Sequence, residues 1–316
     1  MIQEFADFVS YQLLGLAKES QLGASVNFFI YDSIKVTLLL AIIVFLVGMI
    51  RTFITPLRVK KWLGKKKEGV GNVLAALLGI PTPFCSCSAV PLFIGFINAG
   101  VPLGITFSFL IASPLINEVA ATLLFAMFGW QIAALYIVSG LIIAILAGVI
   151  IGRLRLENEL TKIVKETEVD MGKEKRMTWK QRFQFGIKES KRITLSVLPF
   201  LLIGIAIGAG IHGFVPANSL VDIAGKDNIF AVPLVVILGI PLYSNAAGMV
   251  PIVGTLISKG VATGTALAFM MSVIGLSLPE MIILRKVMKP KLIVIFALIL
   301  FIAFVITGYL FNAILG

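Results

Sequence analysis

The chain has 316 residues, 59% of them hydrophobic and only 14% charged, and its mean hydropathy is +1.03. A soluble domain carries about 25% charged residues to face water, so a water-soluble globule is excluded and an integral membrane protein is indicated. The net charge of +11 does not mark a nucleic-acid binder, because 23 of the 27 Lys and Arg lie in three short stretches, seven in 51–70, twelve in 153–192 and four in 285–291, and basic loops beside apolar runs orient a protein in its bilayer.

The first segment, 1–32, opens with MIQEFADF. It has no basic residues ahead of an apolar run, so a secretory signal peptide is not expected. Residues 5–17 read instead as an amphipathic helix at the surface. A span over 33–50 follows, then the first basic stretch. Next come a broken apolar region over 70–99 and spans over 102–127 and 130–152. Residues 153–192 form a charged linker, partly helical. The remainder repeats the order: a span at 193–213, a broken region at 229–258, and spans at 261–284 and 292–315.

That order reflects an internal duplication. A shift of 160 residues aligns 79–109 with 239–269 without a gap and gives ten identities in 31 positions. Among them are Gly79 and Gly239, Pro81 and Pro241, Pro91 and Pro251, Gly100 and Gly260, and Gly104 and Gly264. Shared Gly and Pro positions each constrain the backbone, which apolar coincidence does not require. The membrane repeats are therefore 33–152 and 193–316.

The charge rule sets a topology. With 51–70 and 153–192 both cytoplasmic, an even number of crossings separates them. Two full spans within 70–99 would have about 15 residues each, or roughly 22 Å, short of a hydrocarbon core about 30 Å thick. A re-entrant hairpin meets both constraints, with two short tilted spans as the alternative. The expected fold is thus all-α and polytopic: two inverted repeats, each of three transmembrane helices plus a hairpin, with both termini extracytoplasmic. Lys259, at the exit of the outer hairpin, runs against the charge rule.

The first hairpin tip reads GIPTPFCSCSAVP, where Pro81 and Pro83 end one half-helix and Ser86 or Ser88 can cap the next. Exposed N–H groups and a helix dipole would then gather near Cys85 and Cys87 and favour thiolates, while burial would oppose this. Two cysteines at i and i+2 suit neither a disulfide nor, without partner histidines, a zinc site. Two adjacent soft sulfurs fit a thiophilic species held and released, or simply two small residues packing a turn. In the second tip, GIPLYSNAAGMVP, Asn245 takes the place of Cys85 and Ala247 that of Cys87, with Ser244 and Asn245 as caps. Beyond the tips, SPLINE at 113–118 puts Pro114, Asn117 and Glu118 inside a predicted span, and SLPE at 277–280 puts Glu280 in another. An intramembrane carboxylate is a functional candidate. Glu118 reads as a proton- or solute-coupling residue, and Glu280 as that or as a partner of Arg285. His212 reads as a boundary residue.

PTPFCSCS followed by a proline, the Gly100, Pro102, Gly104 segment and the SPLINE break together resemble the ArsP/YraQ-type permease family over nearly the whole chain. Characterised members are inner-membrane permeases that export trivalent organoarsenicals such as methylarsenite. The resemblance implies transport, with Cys85 and Cys87 as candidate arsenic ligands. The residues themselves leave a second class open, a permease for a small anion or sulfur-containing metabolite held at half-helix N-termini. A third is a thiol-redox protein. No nucleophile–base pair, nucleotide loop or cofactor motif supports an enzyme, and no cofactor is expected. The expected partners are the lipid bilayer, a small solute and a coupling proton; the oligomeric state has no signature.

Overall fold

A computed structural model describes residues 2–51, 69–80, 86–98, 100–161, 178–214, 230–242, 244, 246–285 and 287–315. Among these residues the regular structure is helical apart from one isolated bridge. A short helix α1 (Ile2–Asp7) runs on into a π turn (Phe8–Leu13) and packs on α2 (Gln21–Arg51). Gln3 and Asn27 both donate amide hydrogens to Asp7 Oδ1, at 3.0 and 2.7 Å. Ser20 Oγ accepts from Gly23 N at 3.0 Å, which starts α2 twelve residues before the span read from sequence.

The broken region of the first repeat is two helices, α3 (Val70–Gly79) and α4 (Ser86–Asn98). They rise about 15 and 20 Å. Neither crosses a bilayer alone. The span expected at 102–127 is also interrupted. Helix α5 (Leu103–Leu115) carries Pro114 in its last turn and stops at Ile116; α6 (Glu118–Arg153) then begins and kinks at Gly129, whose φ of 83° and ψ of 174° suit only glycine.

The second repeat follows the same plan. It comprises α7 (Trp179–Phe214), α8 (Ala231–Gly239), α9 (Ala246–Ser258), α10 (Thr263–Gly275), α11 (Leu278–Leu284) and α12 (Pro290–Leu315). Helix α7 takes in the last fourteen residues of the charged linker. Helices α9, α10 and α11 each begin 160 residues after α4, α5 and α6. The turns into α5 and α10 both use a glycine at positive φ, Gly100 at 78° and Gly260 at 95°. The repetition seen in the sequence is therefore one of local structure as well.

Helices α5 and α10 form the centre. Every residue of α5 and all of α10 but Thr263 are buried. Around them α3, α4 and α6 pack on α5 as α8, α9 and α12 pack on α10. The repeats meet where α2 lies on α7, α5 on α10 and α6 on α12, each element against its own counterpart. Helices α4 and α9 reach across, α4 to α11 and α9 to α6.

Helix α12 shows what surrounds the bundle. Leu292, Phe296, Leu300, Phe304 and Phe311 are buried, while Val294, Leu298, Ile302, Ile306 and Leu310 are exposed on the opposite face. An apolar stripe four turns long facing outward suits hydrocarbon, not water. Among the described residues, Val119–Arg153, Thr263–Leu284 and Pro290–Leu315 are long and apolar enough to cross a membrane. The protein is a polytopic, mostly α-helical membrane protein.

Candidate functional site

Both central helices are broken, at Ile116–Asn117 and at Leu276–Ser277. The helix leading into each tip ends against the central helix of its own repeat, α3 on α5 and α8 on α10. A Cβ on Gly79 would lie 2.9 Å from Ala112 Cβ, and one on Gly239 would lie 2.8 Å from Ser272 Oγ, so glycine there lets α3 and α8 press against α5 and α10. Ser272 Oγ also donates to Val236 O at 2.6 Å. The two breaks adjoin each other, since a Cβ on Gly275 would lie 3.6 Å from Leu115 Cδ1. The returning helices reach the other repeat, α4 to α11 and α9 to α6. A Cβ on Gly254 of α9 would sit 3.1 Å from Met127 Cε of α6.

The two breaks are capped differently. In the first, Asn117 Oδ1 accepts from Ala120 N at 2.8 Å, and Asn117 Nδ2 donates to Pro114 O at 3.2 Å. The residue thus satisfies both ends of its own interruption. Glu118 is the first residue of α6. In the second, Ser277 occupies the cap position without making the cap bond, and its hydroxyl is buried with no hydrogen-bond partner among the described residues. Leu278 N donates out of its own helix to Ile240 O, at the end of α8, at 2.7 Å. That bond ties the second break to the second tip.

The residues expected from sequence are placed unevenly. Pro83, Cys85 and Asn245 lie outside the described residues. Ser86, Cys87 and Ser88 make the first turn of α4. Ser244 lies two residues before α9, partly buried. Pro114 is buried inside α5, and Asn117 is the cap of α6. Glu280 is only 2% exposed, in the first turn of α11, whereas Arg285, its suggested partner, is exposed. His212 lies in the last turn of α7. Ser277 was not singled out, although Ser-x-x-Glu at 277–280 is the spacing of a capping box and is legible in SLPE. Among the described residues, no three His, Cys, Asp or Glu come together as a metal cluster.

A family model described as "Predicted permease", of the ArsP type, matches residues 21–313. The UPF0718 protein YraQ of Escherichia coli is 28% identical over 70% of this chain and 62% of its own length. The UPF0718 protein MJ0584 of Methanocaldococcus jannaschii is 22% identical over 90% of this chain and 94% of its own. A protein of Streptococcus mutans named as a putative two-component membrane permease complex subunit is 24% identical over 79% of this chain and 82% of its own. No solved structure matches.

Proposed function

The chain belongs to the ArsP-type predicted permease family, a family of transport proteins and not of enzymes, and we propose that it is a secondary transporter exporting a small, soft, thiophilic solute, a trivalent organoarsenical such as methylarsenite being the chemistry that suits it best. The observation that carries this reading is that the two central helices, buried along their length but for Thr263, are both broken and adjoin at their breaks. Discontinuous helices meeting between two repeats are the way secondary transporters build solute and ion sites at the bilayer midplane.

An inverted relation between the repeats is part of the proposal, and contacts at two places support it. Leu160, beyond the end of α6, pairs with Met288, ahead of α12. Thr161 N donates to Val287 O at 2.9 Å and Lys289 N to Glu159 O at 2.8 Å. Counterpart spans that meet end to beginning run in opposite directions. Ser190 Oγ in α7 donates to Ala41 O in α2 at 2.6 Å, and a Cβ on Gly186 would lie 3.0 Å from Met49 Cγ, the register of an antiparallel pair. On this reading the basic stretches share the cytoplasmic face, both termini are outside, and the short α3–α4 and α8–α9 pairs are re-entrant from opposite sides.

Within this frame Cys85 and Cys87 are the solute ligands, at the start of a half-helix whose dipole favours thiolate. Pro83, Ser86 and Ser88 shape that turn. Glu118, beside the first break, and Glu280, beside the second, are the candidates for coupling export to an ion gradient. The second reading, a permease for a small anion or sulfur metabolite, rests on α4 and α9 beginning at equivalent positions, each offering backbone N–H groups; Ser244 and Asn245 would then count as much as the cysteines.

Transport into everted vesicles or proteoliposomes with a trivalent methylarsenical separates the two. Replacing both cysteines (C85S/C87S) should abolish transport while the protein stays folded. Undiminished transport would remove the thiophilic reading. Loss in S244A/N245A with thiosulfate-like anions as substrate, and not in C85S/C87S, would favour the second.

A further inference from the structure

Repeat symmetry makes the difference between the two breaks informative. In the first, Asn117 supplies a donor to the helix that ends and an acceptor to the helix that begins. The second has neither. Leu278, whose amide would close on Ile274 O in a continuous helix, donates instead to Ile240 O. Pro279 has no amide hydrogen to offer Gly275 O. The carbonyls of Ile274 and Gly275 thus lose their i+4 donors at the negative end of α10. Beside them Ser277 Oγ is buried without a partner among the described residues. One turn on is Glu280, a carboxylate 2% exposed in an apolar bundle, where the first repeat has Ala120 at the equivalent position.

We propose that this second break binds a sodium ion, with Glu280 supplying the charge and Ser277 Oγ and the carbonyls ending α10 supplying neutral oxygens. A hard monovalent cation takes oxygen ligands of this mixed kind, and unwound carbonyls with half-helix C-termini are where transporters hold sodium. A proton would need the carboxylate alone and would leave the serine hydroxyl and the carbonyls unused. The ion would also bridge α10, α11 and, through the Leu278–Ile240 bond, the second tip. This rests on the transporter reading, since it assigns the coupling ion of that site, but it does not depend on what the cysteines bind.

The test is ion-dependent stability of the detergent-purified full chain, because a ligand that binds only the folded state stabilises it further with each increase in the logarithm of its concentration above Kd. Sodium chloride should raise the unfolding midpoint progressively at constant ionic strength, with choline and potassium chloride as controls. E280Q should remove the sodium-specific rise, and S277A should weaken it by several-fold in the concentration needed. C85S/C87S should keep it in full, so a failure of the thiophilic reading and a failure of this one are told apart. Should E280Q not fold, S277A and direct binding of radioactive sodium to the unmodified protein decide the matter. No sodium-specific rise in the unmodified protein, or an unaltered rise in folded E280Q, overturns the proposal. So does a midpoint that follows pH and ignores sodium, which would make Glu280 a proton carrier.

Discussion

Phe45 of α2 and Phe183 of α7 meet edge to face, with ring centroids 5.2 Å apart and planes at 79°. The contact joins the far end of one long helix to the near end of the other, so Arg51 and Trp179 come out on the same side of the pair. If the helices cross the bilayer, the basic stretches that follow one and precede the other share a face. Single cysteines at positions 51 and 179, in a chain otherwise free of cysteine, should both resist a membrane-impermeant maleimide added to intact cells and both react in everted vesicles. Labelling of the two from opposite faces would defeat the inverted arrangement.

The repeat, the membrane class and the division of each broken region into two short helices were legible in the sequence because Gly and Pro leave marks that apolar residues do not. Gly100 and Gly260 recur 160 residues apart and both adopt positive φ. Three features escaped. Composition cannot distinguish a span from a broken span: 102–127 reads as one apolar run, and only Pro114 and Asn117 hint at the stop after Leu115. Charge obscured the start of α7, because a helix can project beyond the bilayer with Lys and Arg on its surface. Ser277 went unnoticed because a serine declares itself by what it fails to bond, and that depends on Leu278 turning away to Ile240.

Asparagines stitch each repeat's central helix to a neighbour, at different places, Asn72 buried and Asn312 partly buried. Asn72 Nδ2 of α3 donates to Gly104 O at 3.0 Å and Ser108 Oγ at 2.9 Å. In the second repeat Asn312 of α12 accepts from Thr265 N at 3.0 Å and donates to Thr265 Oγ1 at 2.9 Å. Interhelical hydrogen bonds within membranes average about 0.6 kcal/mol and reach about 1.7 kcal/mol, less than a buried bond in a soluble core suggests. N72A should therefore cost about 1 kcal/mol in a denaturant titration of the detergent-solubilised protein, and N312A a similar amount. Loss of folding in either would mean that these residues do more than join helices.

Close helix contact makes a sharper prediction. A Cβ on Gly104 would come 2.5 Å from Gly148 O and 2.8 Å from Gly152 Cα, all backbone atoms that a rotamer change cannot move aside. Gly264 is hemmed in likewise by Gly308 O and Asn312 N. G104A and G264A should each cost roughly 1–3 kcal/mol, the usual range for overpacking, seen as a lowered unfolding midpoint. Across the same interface, Gly152 faces Gly104 Cα at 3.2 Å and little else, so G152A should be the milder change. Equal effects at 104 and 152 would mean that the α5–α6 interface yields freely and that small residues are not what sets its spacing.

The unequal capping of the two breaks can be measured without any solute. Asn117 Oδ1 accepts from Ala120 N at 2.8 Å, and removing an N-cap of this kind costs about 1 kcal/mol. Ser277 stands at the equivalent position and makes no cap bond, so its removal takes away no interaction that holds α11 in place. In sodium-free buffer, N117A should therefore lower the unfolding midpoint measurably, whereas S277A should leave it nearly unchanged. N117D, which keeps the acceptor, should recover most of the loss in α6, because a carboxylate caps as well as an amide and sits favourably at a helix N-terminus. If S277A proved as destabilising as N117A, Ser277 would be an ordinary cap, and its hydroxyl could not be held in reserve for a ligand.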